Sequence, residues 1–115
     1  MFDGEDLSRL DLHDAMLSGR SFVGASFVGT DLTGADIQQA DLRQADLTNA
    51  VLTGAHLDRA NLGDAMLRGA SLLLATLTGA DIDGADLTGC PYDQGTTWPD
   101  GTQSARRPDT GRNHP

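Results

Sequence analysis

Residues 35–49 read ADIQQADLRQADLTN, three successive copies of a five-residue unit: Ala, Asp, a large aliphatic residue, then two polar ones. The unit extends far beyond this stretch. Every fifth residue from Leu7 to Leu87, seventeen positions in all, is large and apolar without exception, with Phe22, Phe27, Ile37 and Ile82 standing among the leucines. Two residues before it, alanine fills thirteen of the seventeen places.

Neither regular secondary structure accommodates a period of five. On an α-helix five residues rotate by about 140°, so the leucines would spiral around the cylinder and define no face. On a flat strand an odd spacing sends successive leucines to opposite sides. Within one unit, however, Ala and Leu are two apart and point the same way. The chain therefore runs briefly extended, turns a corner, and repeats, winding into a solenoid with Ala and Leu inside. The slot two residues after Leu is the corner. Glycine holds it in nine of seventeen units, and glycine permits positive φ. Asp14, Asn49 and Asp64 tolerate that region, whereas Gln39, Gln44 and Arg59 do not favour it, which predicts corners of more than one turn type.

The intact units ADLRQ (40–44), ADLTN (45–49) and ADLTG (85–89) strongly resemble the pentapeptide repeat family, and the register never slips between residue 5 and about 90. The resemblance implies an all-β fold, a right-handed quadrilateral parallel β-helix with four units per coil. Seventeen units then make slightly over four coils, a rod about 20 Å long at the spacing of stacked strands. Residues 1–90 are expected to form this helix, with an N-terminal cap in the first coil; Glu5, Leu10, Arg20 and Thr30 replace alanine only there and just beyond it, where phenylalanines also cluster. Residues 91–101 are read as a C-terminal cap segment, a part that also resembles caps in the family. Tyr92 keeps the central register there, Trp98 falls in a turn marked by Pro and Gly, and the two form a lid. The polar tail 102–115 is expected to be disordered.

The chain has 115 residues, one cysteine, no lysine and a formal charge of −9. One cysteine excludes an internal disulfide framework, and Cys90, in an alanine slot, reads as a small core residue. No stretch approaches the roughly 18 apolar residues of a membrane span, and the acidic N-terminus is unlike a secretion signal. These features predict a soluble, cytoplasmic single-domain protein without direct nucleic-acid or membrane contact, since like charges repel, and the family resemblance implies a bacterial one. His13 and His56 face outward on different sides and His114 is in the tail, so no metal, cofactor or catalytic site is expected, and no enzyme.

Two readings of function remain. Leu73 and Leu74 stand in outward slots that elsewhere hold residues such as Thr, Gln, Arg and Gly, on the side that also carries Val51. Adjacent exposed apolar residues point to a covered patch. Three occupants are open for it: the C-terminal segment, a homodimer partner, or another protein. The preferred reading is an acidic repeat scaffold for protein–protein interaction. The alternative is a DNA mimic that modulates or protects DNA gyrase or another type II topoisomerase, as the resemblance implies for part of the family. The candidate acidic surface is Asp11, Asp14, Asp31, Asp41, Asp81 and Asp83. Against mimicry, the four sides carry −2, −3, −1 and −2, so the charge is spread round the rod.

Overall fold

The computed structural model describes residues 1–100; Gly101 and the tail, with Arg106, Arg107, Arg112 and His114, lie outside the described residues. The chain is a right-handed four-sided parallel β-helix. Successive coils pair in parallel at an offset of twenty residues, as in Asp11 with Asp31, Asp31 with Val51, and Val51 with Ser71. Three backbone hydrogen bonds join each side to its neighbours. On one side these run from Asp31 N to Leu10 O (2.9 Å), from Leu32 N to Val51 O (2.8 Å) and from Gly34 N to Thr53 O (2.9 Å). A fourth closes each corner, as from Ala55 N to Leu52 O at 3.0 Å. Five residues per side thus satisfy nearly all their own backbone groups.

Across the seventeen units the expectation of several turn types is wrong, whereas the cap corner closed by Thr96 N to Asp93 O has no positive φ. At every fifth position from Gly4 to Gly89, φ lies between 56° and 73°, at eight non-glycines and ten glycines alike. Positive φ at the third residue of the turn alone, with a bond from the fourth residue to the first, is the type II pattern. Arg9, Gln39, Gln44, Arg59 and even Leu74 adopt it, because all four corners of a stacked coil must superimpose on those above and below. A local conformational cost of about 1–2 kcal/mol per residue is outweighed by the inter-coil bonds that a different turn would break.

Leucine and alanine fill the interior alternately. Central residues from Phe22 to Leu77 and the alanines between them are buried. The seventeen units from Leu7 to Leu87 make slightly over four coils. Phe2, Tyr92 and Trp98 extend them, so that among the described residues each face carries five central side chains. Where alanine is replaced inside, the newcomer bonds the backbone of the coil before. Thr30 Oγ1 donates to Leu7 O (2.7 Å), Thr96 Oγ1 to Leu72 O (2.7 Å) and Cys90 Sγ to Leu67 O (2.8 Å). A buried hydroxyl is thereby satisfied in a slot built for a methyl group.

The two ends differ. At the N-terminal end Phe2, Leu7, Leu12 and Leu17 are half-buried and Leu10 is 45% exposed; the ring of Phe2 stacks on Phe22 at 5.2 Å. At the other end the register shifts by one. Thr97 pairs with Thr76, twenty-one residues away, because one extra residue enters between Asp93 and Thr96. Trp98 therefore does not lie in a turn as the sequence suggested. It occupies a central slot above Leu77, 3% exposed, edge-on to Tyr92 at 5.4 Å.

Candidate functional site

Eight aspartates occupy the slot before the central residue: Asp6, Asp11, Asp31, Asp36, Asp41, Asp46, Asp81 and Asp86. In each, Oδ1 accepts the backbone N–H two residues on, at 3.0–3.2 Å. Asn61 does the same for Gly63 at 3.0 Å. This bond holds the first residue of the corner in place, which is why the repeat selects Asp or Asn. Several carboxyls are held below the usual aspartate range as a result. Asp31 is lowered by the Thr33 hydroxyl and then by its N–H, and Asp86 chiefly by the Thr88 hydroxyl, with a smaller contribution from Arg68. At Asp41 the Arg43 side chain is the main cause, its Nε and Nη2 donating at 2.9 and 2.8 Å.

The candidate acidic surface divides between opposite faces. Asp11, Asp14 and Asp31 lie on the side of Leu12, Leu32 and Leu52; Asp41, Asp81 and Asp83 lie two corners away. On the second face Asn61 separates Asp41 from Asp81, and Arg43 neutralises Asp41.

Val51, Leu73 and Leu74 share the first of these faces. Val51 is 38% exposed, Leu73 half-buried and Leu74 56% exposed. Between the two coils the hydroxyls of Thr53 and Ser71 bond each other at 3.0 Å. The cap segment reaches the edge of this area: Asp93 Oδ1 accepts Leu74 N (3.1 Å), and Gly95 packs against the Leu74 side chain. The rings of Tyr92 and Trp98 face the core instead, leaving Leu74 open.

Sequence reasoning found no donors that could converge, yet the coil brings three together. Asp11, His13 and Asp31 each place a donor atom within 4.8 Å of the others. His13 Nδ1 donates to Asp11 Oδ1 at 2.6 Å, and this bond, followed by the attraction of Asp11, raises the imidazole pKa above its ordinary value. The signal was the Asp-x-His pair plus an aspartate twenty residues on, legible once four sides are known. His56 is on another face, beside the Thr76 hydroxyl at 3.4 Å.

A family profile described as Pentapeptide repeats matches eight copies, over residues 6–49, 45–82 and 55–90. Among solved structures, a pentapeptide repeat protein from the thylakoid lumen of Arabidopsis thaliana is 32% identical over 78% of this chain and 66% of its own, with a TM-score of 0.51. HetL of the cyanobacterium Nostoc sp. strain PCC 7120, involved in heterocyst differentiation regulation, is 28% identical over 84% of this chain and 63% of its own, TM-score 0.42. A second pentapeptide repeat protein from that organism is 36% identical over 77% and 65%, TM-score 0.39. The present chain thus spans about two thirds of the length of each. No curated protein matches.

Proposed function

Because this chain belongs to the pentapeptide repeat family, we propose that it is a non-enzymatic scaffold whose flank bearing Val51, Leu73 and Leu74 docks a partner protein. One observation carries this reading. Leu74 is a bulky residue at a left-handed corner, φ 61°, and its side chain is 56% exposed. Glycine serves that position in most units, so leucine there bears a backbone penalty and gains little burial within the coil. Val51 on the same face replaces the corner-capping aspartate, and so gives up that bond while remaining 38% exposed. Both departures favour an apolar surface over the fold's own preference.

Mimicry of DNA toward a topoisomerase draws less support, since the acids divide between opposite faces and bond the corners of the coil. The test compares the wild-type chain with a Leu73→Ser/Leu74→Gly variant by light scattering and by crosslinking capture. Self-association or a captured partner that disappears in the variant, with melting unchanged, supports the docking flank. Identical association state and identical captured species in both overturn it.

A further inference from the structure

Asp11 and Asp31 are a singular pair in the aspartate slot. On the other faces the ladders read Asp6, Ser26, Asp46, Met66, Asp86; Met16, Asp36, His56, Thr76, Thr97; and Ser21, Asp41, Asn61, Asp81. A neutral residue, or histidine, always separates or follows the acids there. Among the described residues, Asp11 and Asp31 alone stand directly over one another on consecutive coils. Like charges opposite each other in adjacent strands are destabilising, and His13, whose Nδ1 bonds Asp11 at 2.6 Å, is the neighbouring group that offsets them. His13 is two residues from Asp11 and therefore on the same outward face.

We propose that Asp11, His13 and Asp31 bind a Zn²⁺ ion that clips the first coil to the second. The backbone presets the ligands. Both carboxylates are anchored through Oδ1, Asp11 to His13 N and Nδ1 and Asp31 to Thr33 N and Oγ1, so Oδ2 of each and Nε2 of His13 are the atoms proposed as ligands. An ion bound at about 2.0–2.2 Å from nitrogen and oxygen needs its ligands closer than the present 4.8 Å limit; small rotations of exposed side chains close that gap. One imidazole nitrogen with two carboxylate oxygens suits Zn²⁺ over Mg²⁺ or Ca²⁺, which take oxygen ligands. Water completes the coordination, as the site is on the surface. The ion's role there is structural, because it joins two coils at the end where Leu7, Leu12 and Leu17 are half-buried.

The test is calorimetric titration of the full chain, freed of metal by chelator, with ZnCl₂, together with melting curves. A saturable one-to-one transition and a raised melting midpoint are expected. Both are lost in His13→Asn and in Asp31→Asn, and both survive in His56→Asn. Asparagine at position 31 can still accept the Thr33 N–H, as Asn61 does for Gly63, so the variant retains its corner. Co²⁺ in place of Zn²⁺ gives a visible d–d spectrum that vanishes in the same two variants. Absence of saturable binding, binding undiminished in His13→Asn, or equal response to MgCl₂ each overturns the proposal.

Discussion

Asp14 and Gly34 occupy the same corner on successive coils, and the Asp14 carboxylate fills the space that a Cβ on Gly34 would take. The relation recurs: Asn49 lies against Gly69, Arg59 against Gly79, and Leu74 against Gly95. A side chain at a corner leans along the rod over the next coil, and glycine there leaves it room. Gly34→Ala should therefore cost the ~1–2 kcal/mol of placing a side chain at positive φ plus a small excess for turning the exposed Asp14 carboxylate aside. Urea unfolding of Gly34→Ala, Asp14→Gly and the double variant measures the excess. The double variant should be more stable than the sum of the singles requires.

Leu74→Gly tests the corner where strain is least compensated. Removing a leucine from positive φ relieves about 1 kcal/mol, and its exposed side chain has little burial to lose. The variant should match or exceed the wild type in its urea midpoint, unlike most truncations of leucine.

Leu52 behaves oppositely. It is fully buried in the middle of the central column, so Leu52→Ala should cost about 2–5 kcal/mol. Leu52→Asp should abolish the folded state, as read by far-ultraviolet circular dichroism.

The motif aspartates are corner caps, which predicts that the acceptor oxygen matters more than the charge. Asp86→Asn should leave stability at pH 7 nearly unchanged, whereas Asp86→Ala should lose about 1 kcal/mol with the bonds from Thr88. Melting curves of the two variants distinguish these outcomes.

Acid sensitivity follows from the same bonds. Asp31, Asp41 and Asp86 have folded pKa values below the ordinary 3.8. A depressed carboxyl pKa stabilises the folded state above the unfolded value and loses that contribution as pH falls through the folded one. Stability should accordingly drop below about pH 4, and Asp86→Asn should show a smaller drop, both read from melting midpoints at pH 3 to 6.

The five-residue period was legible because each unit carries its own inward pair and its own corner, and those requirements are local. Leu52, Ala55 and Leu57 are buried where the period put them. The reading failed where a residue answers to a distant neighbour. Gln39 and Arg59 disfavour positive φ as isolated residues, but the stacked corners above and below impose it. Trp98 enters the core because a single inserted residue shifts the last side, and periodicity within the preceding coils gives no sign of that shift. The meeting of Asp11, His13 and Asp31 depends on a twenty-residue offset, which is set by closure of four corners and not by any one unit. Local side-chain chemistry determined the strand and turn of each repeat; the pairing of coils, a tertiary constraint, decided which side chains became neighbours.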